Sequence, residues 1–453
     1  MVMGSLPEEF DLAVIGAGVG GYVAAIRAAE LGLNVVLIEK EKLGGHCLNY
    51  ACIPSKTLIH IADSFYTSSH SSKFGLSSSP SIDAKKMYEW RMSVSKKLED
   101  GVAFLCKAHK VEVIKGNAVF TSSSTLLVNG LRTIEFKKAI IATGSMPMQL
   151  KGFEVDNTYI IDYMKALMLD YIPKDMLIIG AGYVAVEVGT LYAKLGSKVT
   201  ILARSDILSH FDKEAVSIVK AGMQNLGINI ITGVTPVSRN GNEIILSNGN
   251  KVNASIVLSS TGLVPFTEGL EIEKTKVKLN EKGFIVVDNK LQTNDSNILA
   301  VGDVIGEPML AHKAIRQGVI AAEVAAGLPS YYDNIVVPAV VFSDPELAIA
   351  GSVEEKEGIK VKKFPLSALG RAIALDLTKG FVKIAYDNNK IIKGIEIVSK
   401  DANIMIAEAT LAIEMGATVD DIASVIHPHP TFSEAIQEAA EAAIDAPIHY
   451  FYG

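Results

Sequence analysis

Cys47 and Cys52 lie five positions apart in GGHCLNYACIPSK, and they are two of only three cysteines in 453 residues. Two thiols this close in a cysteine-poor chain suit redox, catalytic or metal chemistry, because the thiolate is both nucleophile and ligand. Three cysteines do not make a structural disulfide framework. Zinc needs further ligands, and no second CxxC or spaced Cys/His set accompanies the pair, so no metal site is expected. A redox or catalytic pair remains, beside the plainer reading of two unrelated buried thiols. Cys106, in VAFLCKAHK at the end of a helix expected from about Ala84, reads as a packed thiol. Near the other end of the chain, IHPHPTFSE sets His427 and His429 each before a proline, which holds the imidazoles in a defined turn. Glu434 follows at the start of an Ala/Glu-rich helix. A histidine held by a carboxylate is a proton shuttle near neutral pH. From spacing alone, a structural loop histidine is the simpler reading.

These side chains need a scaffold, and the first 40 residues describe one. EEFDLAVIGAGVGGYVAAIRAAELGLNVVLIEK opens with an apolar strand over residues 12–15. It runs through Gly16-x-Gly18-x-x-Gly21 into an Ala-rich helix, then into a second strand over 34–38 that closes on Glu39. This is the dinucleotide fingerprint in its strand–turn–helix setting. The first glycine permits the tight turn, the second admits a pyrophosphate, and the third lets helix and sheet touch. The pyrophosphate would sit at the helix N-terminus, and Glu39 would accept from a ribose hydroxyl.

The unit occurs again. DMLIIGAGYVAVEVGTLYAKLGSKVTILARSD repeats strand, Gly180-x-Gly182-x-x-Ala185, helix and strand. Two such units predict two cofactors, and a flavin adenine dinucleotide with a nicotinamide is the natural pair for electron transfer. The alternative for the second copy is a helix–sheet turn without ligand. In that copy the acidic position is Ala203, followed by Arg204. Losing the acid removes a 2′-hydroxyl acceptor, and an arginine meets a 2′-phosphate instead. His210 would add a second cation if protonated. The reading therefore favours NADP(H), with NAD(H) as the alternative.

The rest of the chain divides by texture. TSSHSSKFGLSSSPS is a Ser-rich loop before the long helix, AIIATGSMP is an apolar strand with a glycine turn, and NILAVGDVIGEPMLAHKA ends a strand at Gly302-Asp303. An aspartate there points into the ligand crevice of such a sheet. The last 120 or so residues mix strand-like runs (VPAVVFSDPELAIAG, GFVKIAYD) with a helical one (ANIMIAEATLAIEMGA), which predicts a separate domain of sheet and helices. Hydrophobic residues are 49% and charged ones 21%, a globular composition. The net charge of −7 leaves no electrostatic footprint for nucleic acid or an anionic membrane. No apolar run reaches the roughly 18 residues of a membrane helix. MVMGSLPEEFD lacks the basic-then-apolar pattern of a leader, so a cytoplasmic location is expected.

Taken together, GGHCLNYACIPSK, IIATGS, NILAVGD, PMLAHKA, SALGRAIA, HPHPTFSE and the late PIH resemble the flavin-dependent pyridine nucleotide–disulfide oxidoreductases, in the family's order and over nearly the whole chain. Within that family, CIPSK and PIH resemble the branch that acts on lipoamide. The resemblance implies an α/β fold with two Rossmann-like domains, for FAD and NAD(P), and a C-terminal α+β dimerisation domain. The implied boundaries are 1–148 for FAD, 149–265 for NAD(P), 266–334 for a segment completing the FAD site, and 335–453 for the dimer interface.

The resemblance also implies roles. Cys47 would be the interchange thiol and Cys52 the thiol against the flavin, joined as a redox disulfide. Residues five apart in a regular helix have Cα atoms about 8.7 Å apart, whereas a disulfide needs under about 7 Å. The segment is therefore not a regular helix when oxidised, and Pro54 would clash with the Tyr50 carbonyl. Lys56 would sit beside the flavin with Glu187 as its ion-pair partner. Asp303 would meet the ribityl side, with Met309 and Ala311 along the ring, and Gly45, Ala118, Thr143 and Gly144 would complete the FAD site. On the nicotinamide side Tyr183 resembles a tyrosine that covers the pocket in the glutathione reductase branch, and Val234 and Gly262 would line it. His429, oriented by Glu434, would be the acid–base group. The resemblance implies that it comes from the second subunit of a homodimer, and its place 382 positions from Cys47, in another domain, agrees with that. The implied substrate is dihydrolipoamide, free or on a lipoyl domain.

Departures from the family stand beside these matches. His46 replaces a usual threonine and Ala51 a glycine, both next to the disulfide. Leu263 and Phe266 replace an arginine and an asparagine, and Asp401 and Ile404 replace a histidine and a glutamate. The alternative reading is an NADPH-dependent reductase of another disulfide, like glutathione reductase. A vicinal C-terminal cysteine pair, as in mercuric reductase, is missing. A non-catalytic flavin-bearing redox sensor would need one of Cys47, Cys52, His429 or Glu434 to be lost, and all four are present.

Overall fold

A computed structural model describes residues 7–451. The first six residues, which carry much of the leader reading, and the last two lie outside the described residues.

The strand Glu8–Ile15 lies at the centre of the first sheet, parallel to Val35–Glu39 on one side and Arg132–Ile141 on the other. Leu12, Ala13 and Val14 are completely buried on both faces, as expected for a parallel sheet covered on each side. The strand begins four residues before the apolar run read from sequence. Glu8 and Phe10 extend it by pairing with Ile134 and Phe136. Glu112–Lys115 adds an outer strand beside Val35–Glu39.

Arg132–Ile141 serves two partners along its length. Its first residues pair antiparallel with Thr125–Val128, and its last three pair parallel with Ile298–Ala300. A strand from nearly 160 residues later thus returns to the first sheet. Gly16, Ala142 and Gly302 follow three neighbouring strands, so their loops open at one edge, where ligands bind in such sheets.

Gly16 has φ +95°, a left-handed conformation that favours glycine, and a Cβ on Gly21 would lie 1.8 Å from the Gly16 carbonyl oxygen. The helices Val19–Glu30 and Ala311–Ala325 also touch through backbone, since a Cβ on Gly318 would fall 2.4 Å from the Gly20 oxygen.

The second sheet is wholly parallel, in the order Asn229–Thr232, Lys198–Ala203, Asp175–Ile179, Ile256–Ser259, Ile160–Ile161. Its fingerprint helix is Tyr183–Lys194. A three-stranded antiparallel flap over 236–253, unread in the sequence, hangs from it.

The third sheet is antiparallel, in the order Ala339–Val341, Glu346–Gly351, Ile392–Ser399, Phe381–Asp387, Ile359–Pro365. Along Ile392–Ser399 the faces alternate, as a strand requires. Ile395 and Ile397 pack under the helices Ala402–Glu414 and Glu434–Ala443, while Val398 joins Leu347 and Phe381 in the core shared with the second sheet. Lys194, almost buried, ties the layers together through Asp63 and Asp344, each at 2.6 Å. Among the described residues no helix is long and apolar enough to cross a membrane.

Candidate active site

The expected break between the cysteines is present. A short helix Gly45–Asn49 ends where the amides of Tyr50 and Ala51 both donate to the His46 carbonyl at 2.8 Å. Ala51 then leaves helical geometry (φ −131°, ψ −94°), and a new helix runs Cys52–Ser69. Pro54 therefore falls in a first turn, where no N–H is required, and the anticipated clash with Tyr50 does not arise. Cys47 and Cys52 are free thiols in this structure, close enough to shift each other's ionisation. Cys47 pulls the Cys52 thiol down, helped by Lys56 and by the Cys52 amide at the helix start. Cys47 is pushed up by Cys52 and by burial. Cys52 is thus the thiol that ionises more readily.

Both cysteines line a cavity of about 430 Å³ at the open edge of the first sheet. Gly16, Gly18, Glu39 and Gly45 line it with Ala118, Thr143 and Gly144, and Asp303, Met309 and Ala311 complete it. Gly21 and Lys56 stand behind it, Gly21 in the helix–sheet contact.

This cavity fits a flavin dinucleotide. A Cβ on Gly18 would meet nothing within 4 Å, so the helix N-terminus there is open to a pyrophosphate. At Gly45 a Cβ would lie 2.7 Å from Gly18 Cα, so the redox helix presses against that turn. Glu39 is held at the strand end by the amides of Ala17 and Glu41, both at 2.7 Å, with lone pairs left for a ribose. Asp303 accepts from Ser145 Oγ at 2.7 Å, and burial pushes its carboxyl up.

Lys56 forms the expected ion pair, Nζ to Glu187 Oε2 at 2.7 Å. The same oxygen accepts from Ser55 Oγ, the other from the Phe342 amide, and the ammonium lies 4.2 Å from the Phe342 ring centre. Glu187 thus joins the redox helix, the second fingerprint helix and the entry to the third sheet. It meets the site through Lys56.

The second glycine motif is built as read. Gly180 has φ +136°, and a Cβ there would lie 2.2 Å from the Ser260 carbonyl oxygen. Gly182 caps the helix and opens to free space, Tyr183 begins it edge-on to Phe211, and Ala185 is buried beneath. Ala203 ends its strand buried, and Arg204 after it is exposed with no side-chain hydrogen bond or ion pair among the described residues. Val234 packs its side chain into the core and donates its amide to the Ala203 carbonyl, so it can present only backbone. Gly262 has φ +134° and accepts from the Met148 amide.

Tyr163 was not anticipated. It begins the short helix Tyr163–Ala166, lines the cavity, and its hydroxyl lies 3.1 Å from His46 Nδ1. The two residues are 117 positions apart, and no spacing signal links them. His46 also walls a second cavity of about 290 Å³, shared with Lys40, Phe266 and Met164. Phe266 carries the Lys40 ammonium 3.8 Å over its ring.

His429 Nδ1 lies 2.8 Å from Glu434 Oε1. The imidazole is 78% exposed and lines neither cavity of its own chain. His427 is the reverse: it is buried between the Val425 carbonyl and Glu408. Among the described residues no cluster of three His, Cys, Asp or Glu side chains could hold a metal ion.

Residues 10–318 match the pyridine nucleotide-disulphide oxidoreductase family and residues 337–440 match its dimerisation domain. The chain is 44% identical to a dihydrolipoyl dehydrogenase of Geobacillus stearothermophilus, with 99% of each chain covered. It is 42% identical to one of Thermus scotoductus, covering 98% of this chain and 99% of that one. Among solved structures, LpdA from Mycobacterium tuberculosis superposes with a TM-score of 0.88 at 25% identity, over 95% of this chain and 99% of that one. The HOCl-induced flavoprotein disulfide reductase RclA from Escherichia coli does so with 0.86 at 27%, over the same shares. The fingerprint cavity, the paired thiols and these matches along the chain agree: it belongs to the pyridine nucleotide–disulphide oxidoreductases, which work with FAD and a pyridine nucleotide.

Proposed function

We propose that this chain is a dihydrolipoyl dehydrogenase, oxidising a dihydrolipoyl dithiol and passing the electrons to a pyridine nucleotide. The observation that carries the reading is the Cys47–Cys52 pair, both free thiols lining the cavity that the first glycine fingerprint and Glu39 build. The full-length relatives that bear this name support it.

In the oxidised enzyme the two cysteines form a disulfide. The substrate dithiol gives one proton to Nε2 of His429, whose Nδ1 is engaged by Glu434. The resulting thiolate attacks Cys47 Sγ. The Cys47–Cys52 bond breaks, and its electron pair leaves on Cys52, whose thiol Lys56 helps to hold down. The substrate's second sulfur, deprotonated in turn, closes the product disulfide and releases Cys47, which takes up the proton. Bound flavin supplies the two-electron exchange between this dithiol and the nicotinamide. Lys56, held by Glu187, lowers the Cys52 thiol with its ammonium, and Glu187 partly opposes that.

His429 faces outward from its own chain, so in this reading it serves the partner's disulfide and the homodimer has two shared sites. Exposed Ile404 and Leu411 on the helix whose Glu408 meets His427, Met415 at that helix's end, and exposed Ile426 suit a surface that a second copy covers. The domain boundaries at 148, 265 and 334, a lipoyl domain as the natural form of the substrate, and a cytoplasmic location belong to the same reading. Exposed Arg204 supports a preference for NADP(H).

Steady-state assays of the FAD-loaded protein test this: dihydrolipoamide with NAD+ and with NADP+, and NADPH with oxidised glutathione. Strong lipoamide turnover is expected. Negligible lipoamide turnover with intact flavin reduction by NADPH would move the chain to the alternative, a reductase of another disulfide, which Arg204 and Tyr183 favour.

A further inference from the structure

His46 departs from its family at the most sensitive place, one residue before Cys47. Its imidazole lines both cavities. Tyr163 reaches it from the segment entering the second sheet, with Oη 3.1 Å from Nδ1. Tyr163 is nearly buried, and this is the only hydrogen bond its hydroxyl makes among the described residues. Burial pushes the phenol's ionisation up, so its proton is present to be donated. Burial also pushes the imidazole's pKa down, so His46 is neutral near pH 7 and carries one N–H.

The hydrogen bond decides which nitrogen holds that proton. Were it on Nδ1, the phenol hydrogen would be left without an acceptor. With Nδ1 as acceptor both groups are satisfied, and the N–H falls on Nε2. Among the described residues Nε2 has no hydrogen-bond partner, and the imidazole lines the cavity. The charged groups felt by His46 are Glu41, Lys40, Asp303 and Glu39. Gly45, the residue before His46, presses on the Gly18 turn, where a Cβ would lie 2.7 Å from Gly18 Cα. His46 therefore lines the cavity next to the helix N-terminus that is open to a pyrophosphate.

We propose that Tyr163 fixes His46 as the Nε2–H tautomer, and that this N–H donates to the phosphate-bearing middle of the bound flavin dinucleotide. His46 is then a cofactor-binding residue and Tyr163 its positioning residue. FAD retention comes to depend on a side chain outside the FAD sheet. The proposal rests on the family's flavin lying in this cavity.

Reconstitution of the apoprotein, followed by flavin fluorescence, gives the FAD Kd for wild type, H46F, Y163F, H46N and the H46N/Y163F double variant. H46F and Y163F should each weaken binding about tenfold, the scale of a hydrogen bond to a charged group. H46N should retain more affinity than H46F, because an amide donor needs no tautomer to be set. In the H46N background Y163F should cost nothing further. Wild-type affinity in Y163F overturns the proposal, and so does an equal loss from Y163F in both backgrounds, which would mean packing. Should Y163F not fold, the nitrogen NMR shifts of His46 in histidine-labelled holoprotein decide: bare Nδ1 and protonated Nε2 are expected, and the reverse overturns it. Wild-type protein that bound no flavin would instead remove the cofactor reading beneath it.

Discussion

Glu434 holds His429 from below: Oε1 lies 2.8 Å from Nδ1, while Oε2 takes the Thr431 amide at 2.7 Å. The carboxylate is pinned by backbone and in turn pins the imidazole, leaving Nε2 outward. H429Q should lower dihydrolipoamide turnover by about 10²–10⁴-fold, the usual contribution of a general base. E434Q keeps the shape but weakens the grip, and should cost about tenfold or more. Flavin reduction by the nicotinamide, measured by stopped flow, should be unchanged in both. Full turnover in H429Q would remove His429 from the mechanism.

The shared site has its own test. C52S and H429Q homodimers should each be inactive toward dihydrolipoamide. A purified mixed dimer carries one site with both defects and one with neither, so it should recover about half of wild-type activity per dimer. A verified mixed dimer with no activity would count against a histidine supplied by the partner.

Arg204 stands exposed one residue past the end of its strand, directly after Ala203, which takes the place of Glu39 in the first glycine unit. A guanidinium there suits a 2′-phosphate and gains nothing from a bare ribose. R204E should raise KM for NADP+ at least tenfold and leave NAD+ kinetics the same or better. Unchanged ratios of kcat/KM for the two nucleotides would discard the preference.

Glu396 is fully buried between the second and third sheets, with Oε2 unpartnered and Asp212, Glu214 and Lys383 around it. Burial, reinforced by Asp212, raises its pKa from 4.5 to about 7. The unfolded chain loses this proton near 4.5 while the folded chain keeps it, so the folded state binds more protons between the two values. The stabilisation is full below 4.5 and is lost as pH rises to about 7, at most about 3 kcal/mol from the size of the rise. E396Q, neutral at every pH, should match wild type near pH 4.5 and melt higher at pH 8. Identical melting curves at pH 8 would show that Glu396 carries no such penalty.

Much of the molecule was legible because its signals are local. Each glycine motif reports a turn that its own backbone requires, and Gly16 and Gly180 indeed take positive φ. A break between Cys47 and Cys52 was expected from what a disulfide needs, and it is present with the thiols free, although Pro54 sits comfortably in the next helix instead of distorting the first. The flap over 236–253 went unread. Its strands are short and largely exposed, and weak alternation of that kind carries little periodicity.

What the sequence by itself determined were the turns that admit phosphates, the reactive thiols, and a histidine with a carboxylate five positions on. Those follow from neighbours along the chain, where spacing sets distance. Only the tertiary structure decided that Ile298–Ala300 returns to the first sheet, that Lys194 bridges Asp63 and Asp344, and that Tyr163 meets His46. Each of those contacts joins residues more than a hundred positions apart. Chain closure over such lengths is set by how sheets and helices bury their apolar faces, and no local pattern encodes it.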